Sequence, residues 1–301
     1  MRPDVSILVA TRNRSSVISR ALESVRRQQN VATETVVVDD GSSAAEAAAL
    51  REVCAAFPGV RLSRLGRSGG PSAARNAALA EATGRYVCAL DDDNEFLRDK
   101  LESQLGAIDR VPDGVAVSGV EISDDARQPE RRMPGLRGVV RLDAEHDPFA
   151  RLPARVFVHT YLLETELLRR VGGYDPQLRW GEHTELFLRL RRVASFSGVE
   201  AIGTRVHRGP DLEHASRDSG AKADGIRRIM DLHAGDFGSS ASLRAEWLDV
   251  LGVTLLRAGR RSEARRAFAA SVAARPLRTS SLRHLVGAAT HSERILGGAG
   301  G

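Results

Sequence analysis

Two hydrophobic periods alternate along the first ninety residues. "VSILVAT" (5–11) is a continuous apolar, β-branched run, the mark of a strand buried on both faces. "SSVISRALESVRRQ" follows, with apolar residues at 17, 18, 21, 22 and 25, the spacing of one helix face. "ETVVVDDGS" predicts a second buried strand, and "AAEAAALREVCAAF" a helix stopped at Pro58–Gly59. "VRLSRL" reads as a short strand, "GPSAARNAALAEAT" as a helix closed by Gly84, and "RYVCAL" as a further strand. Strand and helix in strict alternation with short links predict a parallel sheet with helices on its faces. Ligands of such sheets bind beyond the carboxyl ends of the strands. The polar clusters "TRNR", "DDGS" and "DDDN" all fall there.

Beyond about residue 110 the alternation loosens. "GVAVSGVEIS" predicts a strand and "DDARQPERRMPGLRG" a polar loop or ribbon. "VFVHTYLLETELLRRVGGYD" gives a strand, a helix and a glycine stop, and "GEHTELFLRLRRV" an amphipathic helix. "EAIGTRVHRG" reads as a last strand, and "PDLEHASRDSGAKADG" as a polar, mobile stretch. From about 225 the pattern is wholly helical. "LDVLGVTLLRAGRRSEARRAFAASVAARP" carries Leu251–Gly252, Gly259, Ala264, Phe268 and Pro276 at the spacings of one tetratricopeptide unit. A single unit does not stand alone. The expectation is a hairpin at about 247–276 that lays Leu251, Leu255 and Phe268 on the main domain or on a second subunit. The chain therefore divides into a domain over 1–215, a helical extension over 216–296, and a disordered "GGAGG" tail, 297–301.

Composition narrows the classes. With 42% hydrophobic and 28% charged residues, the chain has the makeup of an ordinary globular protein. Its longest N-terminal apolar stretch, Val5 to Ala10, is too short for a signal peptide, and no run approaches the roughly 20 residues of a membrane span. A cytoplasmic location is expected. The net charge of +5 comes almost wholly from arginine, with lysine only at 100 and 222. No nucleic-acid-binding signature accompanies it, and aromatics at 4% argue against a base-stacking surface. Cys54 and Cys88 lack the spacing of metal or redox pairs and read as small core residues.

The three aspartates of "GRYVCALDDDNEF" (84–96) end an apolar strand, where like charges repel. Taken alone they suit a helix N-terminus, with Asp93 or Asn94 as cap. Four further stretches change that reading: "VSILVATRNR", "VVVDDGS", "GGPSAARNAAL" and the later "VGGYDPQLRWGEHTELFLRL". With "GRYVCALDDDN" they stand in the order and rough spacing of the inverting family-2 glycosyltransferases, and the chain resembles that family from residue 4 to about 210. The resemblance implies a GT-A fold: a Rossmann-like, mostly parallel α/β sheet flanked by helices, here with an α-helical C-terminal extension.

It also implies a chemistry. A nucleotide-sugar donor carries a diphosphate whose charge must be neutralised as it leaves. The family holds Mn²⁺ or Mg²⁺ there, and hard cations want carboxylate oxygen. By the family's DxD pattern Asp93 is the expected metal ligand, with Asp91 and Asp92 near the ribose and the metal's waters. Asp40 of "DDGS" would face a uracil or thymine base while Asp39 braces the loop, and Thr11 and Arg12 would lie near base and ribose. Thr11 and Asn13 equally suit plain turn chemistry. Gly69 and Gly70 let their loop pass close to a ligand, and Arg75 would steady the diphosphate or form a surface ion pair. His207 corresponds to a histidine that completes the metal sphere in some members, or is a strand-end residue. Trp180 would stack on a sugar or anchor a core.

The family usually shows Glu-Asp where this chain has "GEHTEL", with the aspartate as general base. The position is His183, a residue type that titrates near working pH. Three readings stand: His183 as base, Glu182 as base, or an acceptor that needs little base help or a drifted, weak enzyme; Glu185 braces the loop. The implied activity is transfer of a sugar from a UDP- or dTDP-sugar to an acceptor hydroxyl, with inversion. The acceptor would be a saccharide, a lipid-linked saccharide or a small metabolite, and loops 122–150 and 208–225 hold no code for it. Peripheral membrane contact and a homodimer through the helical extension are compatible with this reading; nucleic acid is not a partner. Two rivals remain. A sugar nucleotidyltransferase would want a glycine-rich loop after the first strand, which "VATRNRSS" lacks. A non-catalytic nucleotide-sugar-binding scaffold would keep the pocket and lose the base.

Overall fold

The computed structural model describes residues 3–109, 111, 113–124, 131–133, 138–140, 158–208 and 218–275. Most of the expected acceptor loop 122–150, half of the loop 208–225, Pro276 and the 297–301 tail lie outside these residues. The alternation at the N-terminus folds as β1 (Val5–Thr11), α1 (Ile18–Arg26), β2 (Thr33–Asp39), α2 (Ala44–Ala55), β3 (Val60–Arg64), α3 (Pro71–Glu81) and β4 (Tyr86–Ala89). Then come β5 (Glu95–Phe96), α4 (Lys100–Ile108), β6 (Gly114–Asp124), β7 (Arg131–Met133), β8 (Gly138–Val140), a 3₁₀ turn at 158–160, β9 (Tyr161–Glu164), α5 (Thr165–Arg170), α6 (Glu182–Leu190) and β10 (Ser195–Arg208).

The strands form one sheet in the order β3-β2-β1-β4-β9-β6-β10-β5, with β7 on β6 and β8 on β10. Strands β1 to β4 are parallel, joined by crossovers through α1, α2 and α3. Strand β9 enters antiparallel between β4 and β6, and β10 pairs parallel with β6, so the sheet is mixed. The continuous apolar strands are buried on both faces: Val5, Ile7, Leu8, Val9, Val36, Val37 and Val38 have no exposed surface. Ile18, Ala21, Leu22 and Val25 of α1 close one side over Ile7, Val9 and Cys88. At roughly 25 cal/mol per Å² of apolar surface removed from water, this core is the main stabilising term for the sheet.

Local chemistry sets the helix starts. Ser43 caps α2 by accepting the Glu46 amide at 3.3 Å, and Pro71 opens α3 directly after Gly70. Gly41 turns the chain at φ 71°, where a Cβ would stand 2.8 Å from the Ser68 amide.

A second unit comprises residues 178–182 and the described helices from 218, namely α7 (Ser219–Leu232), α8 (Ala234–Ser239), α9 (Ala241–Arg257) and α10 (Arg261–Ala274). One expectation is corrected here. The polar stretch 210–225 is helical from Ser219 onward, because Asp218 caps α7 by accepting the Gly220 and Ala221 amides. In the same unit α7 and α8 pack on α9 of the α9–α10 hairpin. Leu255 and Phe268 are wholly buried and Leu251 nearly so. Gly252 lets the Phe268 ring rest on α9; a Cβ there would clash with the ring. Trp180 is half-buried beneath α7, with the Lys222 ammonium 4.9 Å over its ring and Gly225 against its carbonyl. That packing fits an anchor better than a sugar platform.

Candidate functional site

The apolar run of β4 ends in a tight turn in which the Asn94 amide donates to the Asp91 carbonyl at 3.1 Å. Helix α4 does not begin until Lys100, and β5 intervenes, pairing with β10 through Phe96–Thr204 and Glu95–Arg205. The acidic turn therefore caps no helix. It stands at the carboxyl end of β4, next to the end of β1, to which β4 is hydrogen-bonded.

Each aspartate of the turn has its own counter-group. The Arg75 guanidinium, from α3, donates to Asp91 Oδ1 at 2.7 Å, and His159 Nδ1 lies 3.5 Å from Asp91 Oδ2. The Thr11 hydroxyl, at the end of β1, donates to Asp92 Oδ2 at 2.7 Å. Arg14 bridges the other two: NH1 is 2.9 Å from Asp92 Oδ1 and NH2 donates to Asp93 Oδ2 at 2.6 Å. Arg20 of α1 donates to the Asp93 carbonyl at 2.9 Å. Asp92, Asp93 and Asn94 are buried, and the side chains of Asp91 and Arg14 are 33% and 25% exposed, so the turn opens to solvent at those two residues.

These surroundings separate two chemically identical carboxyls, Asp91 and Asp92. Burial pushes Asp91 up, but the charge of Arg75, then His159, outweighs it and holds the group below the usual carboxylate range. Burial also pushes Asp92 up, and its acidic neighbours Asp93 and Asp91 add to it; Arg14 and Thr11 only partly offset these, leaving the carboxyl at about 7. Burial works against the charge of Arg14, yet Asp92 and Asp93 raise its affinity for its proton above the ordinary value.

The neighbouring turns are braced. Both oxygens of Asp40 are engaged, accepting from the Gly69 amide at 2.7 Å, the Gly70 amide at 3.0 Å and the Ser68 hydroxyl at 2.8 Å. The carboxylate expected against a base thus pins the glycine loop. Asp39 accepts the Ser42 amide and pairs with Arg64 at 3.2 Å. Asn13, at φ 52°, exchanges bonds with Ser42 and Ser43, which is turn chemistry. Arg12 is exposed.

His207 is drawn to the acidic turn through its backbone amide, which donates to Asn94 Oδ1 at 3.1 Å, while its Nε2 lies 3.1 Å from Glu95 Oε1. That hydrogen bond, against the opposing effect of burial and with help from Arg205, lowers the Glu95 carboxyl to about 2. Among the described residues no three Asp, Glu, His or Cys side chains converge tightly enough to hold an ion, so Asp93 and His207 are not assembled as a ready cage. The donors still suit a hard divalent cation in kind, with three carboxylates on one short turn. The guanidinium of Arg14 faces both Asp92 and Asp93.

Glu182 and His183 open α6 after Gly181; Glu182 is buried and His183 half-buried. Glu185 is held in a two-pronged pair with Arg189, at 2.7 and 2.6 Å, and Arg189 reaches the Val171 and Gly173 carbonyls, so Glu185 braces this loop. Sequence reasoning missed Arg14, Arg20, Glu95 and His159. Arg14 lay inside the flagged "TRNR" cluster; His159 carried no spacing signal, because the 3₁₀ turn ahead of β9 brings it to Asp91 from 68 positions away (159 − 91).

The family model described as "Glycosyl transferase family 2" matches residues 6–161, more than half of the chain. The chain belongs to glycosyl transferase family 2. Among curated relatives, the succinoglycan biosynthesis protein ExoO of Rhizobium meliloti is 32% identical over 60% of this chain and 53% of its own. The pre-mycofactocin glycosyltransferase of Mycobacterium tuberculosis is 26% identical over 68% of this chain and 42% of its own. The chain thus spans about half, or less, of these relatives. Among solved structures, S. aureus TarS 1-349 in complex with UDP-GlcNAc superposes with a TM-score of 0.66 at 18% identity, covering 97% of this chain and 89% of that one. The same TarS fragment has also been solved with UDP, at a TM-score of 0.58. At such identities the likeness establishes the GT-A fold. No helix among the described residues is long and apolar enough to cross a membrane.

Proposed function

We propose that the protein transfers a sugar from a nucleoside-diphosphate sugar to an acceptor hydroxyl with inversion. The observation that carries this is the acidic turn beyond β4, ringed by Arg14, Arg75 and Thr11, in a family-2 chain. The TarS complexes support a uridine nucleotide donor. The donor set supports a divalent ion, Mn²⁺ or Mg²⁺, held by Asp93 with Asp91 and His207 as neighbours; such an ion supplies charge for the departing diphosphate. Asp91, kept ionised by Arg75, presents a fixed acceptor to a ribose hydroxyl, and the 68–70 loop pinned by Asp40 offers backbone amides.

His183 is the base in this reading. Its place at the start of α6, half-buried, lets a proton reach it, while Glu182 beside it is more deeply enclosed. The acceptor is a saccharide, free or lipid-linked, or a small metabolite. Relatives whose names refer to succinoglycan and teichuronic acid biosynthesis favour the saccharide, and the pre-mycofactocin relative keeps the metabolite in view. The deciding experiment is nucleotide release from a panel of UDP- and dTDP-sugars with candidate acceptors, alongside calorimetry of UDP with Mn²⁺ and with chelator. Turnover of one donor and tighter UDP binding with Mn²⁺ are expected. UDP affinity equal with and without the ion would remove the metal role of Asp93. No UDP binding at all would overturn the reading.

A further inference from the structure

We infer that Arg14 is a built-in counter-cation of the acidic turn, and that a divalent ion and the Arg14 guanidinium are alternative occupants of the Asp92–Asp93 pair. The inference rests on the metal-dependent reading above and adds to it how the ion gains entry. Three observations carry it. The guanidinium spans two successive carboxylates, 2.9 Å from Asp92 Oδ1 and 2.6 Å from Asp93 Oδ2. Asp92's other oxygen accepts from Thr11, so an ion and Arg14 would meet at the same two atoms, Asp92 Oδ1 and Asp93 Oδ2. Each carboxylate already has a guanidinium beside it without an ion: Arg75 stands at Asp91, and Arg14 is shared by Asp92 and Asp93.

A hard cation binds carboxylate oxygen more closely than a hydrogen-bond donor does, and two positive charges on the same oxygens repel strongly where water is scarce. The ion must therefore displace the arginine. Arg14 can leave, because its side chain is 25% exposed on the β1–α1 loop, whereas Arg75, 6% exposed on α3, cannot. The acidic turn is thereby kept folded without metal, and the freed guanidinium becomes a donor for the incoming diphosphate, whose geometry suits a planar fork.

The test reads metal affinity rather than turnover. Mn²⁺ binding to the full chain, followed by the electron spin resonance of free Mn²⁺, is compared for wild type, Arg14→Gln and Arg20→Gln. Arg20 is the control because it also places a guanidinium at Asp93, but on the backbone carbonyl. Arg14→Gln should bind Mn²⁺ about tenfold tighter or more, and Arg20→Gln should change it by less than about threefold. Arg14→Gln should also melt lower than wild type in chelator and gain more from added Mn²⁺. Equal Mn²⁺ affinity in wild type and Arg14→Gln would overturn the exchange and leave the metal reading intact. A similar gain in both variants would mean a general charge effect and also overturn it. Absence of Mn²⁺ binding in all three, with UDP or without, would overturn the metal reading itself.

Discussion

Replacing Arg75 by Met tests how the acidic turn is held. The substitution keeps the length of the side chain and removes the charge from a residue whose side chain is 6% exposed. Breaking a fully buried pair costs about 3–5 kcal/mol, and breaking an exposed one about 0–1. Asp91 is one-third exposed, so screening places this pair in between, near 2 kcal/mol. The Arg75 guanidinium also lies 5.6 Å from the Tyr174 ring centroid, a contact worth about 0.5–1 kcal/mol more. Arg75→Met should thus lose about 3 kcal/mol, or about 6–12 °C in melting temperature for a unit near 200 residues. Urea denaturation of Arg75→Met, Asp91→Asn and the double variant measures the coupling, expected at about 1–2 kcal/mol.

The pH dependence has a definite sign. In the wild type Asp91 sits below its unfolded value, so its contribution is present above the ordinary carboxylate range and lost only as pH falls beneath it. Without Arg75 the effect of burial dominates, the carboxyl rises, and its buried charge becomes a penalty that protonation relieves. The gap between wild type and Arg75→Met should therefore narrow as pH falls from 7 towards about 4. Additive single-variant costs, or a gap that stays constant with pH, would refute the pairing as the source of the stability.

His183→Ala should lower kcat by about 10²–10⁴ with donor binding retained, while His183→Asp keeps measurable turnover; a nearly silent His183→Ala with a dead Glu182→Gln would make Glu182 the base. Glu95, held at about 2 chiefly by its bond to His207, contributes stability that is complete above pH 4.5 and lost as pH falls towards 2. The stability difference between wild type and Glu95→Gln should be full at pH 7 and much smaller at pH 3, and urea curves at the two pH values check it. In the helical unit, Gly252→Ala should cost about 1–3 kcal/mol by driving a methyl into the Phe268 ring, and Phe268→Leu on the same chain should recover part of the loss in a thermal melt.

The amino-acid sequence by itself determined the α/β alternation to residue 90, because buried parallel strands and amphipathic helices leave opposite hydrophobic periods. It also determined where the acids stand, at the strand ends, and which family the chain resembles, since five short motifs keep their order. Thr11, Arg75 and Asp91 to Asp93 were legible on those grounds. Tertiary structure alone decided what faces them. Arg14 closes on Asp92 and Asp93 across 78 and 79 positions (92 − 14 and 93 − 14), and His159 reaches Asp91 from the 3₁₀ turn ahead of a strand that runs antiparallel to β4. Periodicity reports which face of an element is buried, but not which strand lies beside it or which way that strand runs. Asp40 shows the same limit: its motif marked a carboxylate beyond β2, and only the folded loop turned both oxygens onto Ser68, Gly69 and Gly70. A carboxylate's partner is set by packing between distant elements, and local sequence carries no record of it.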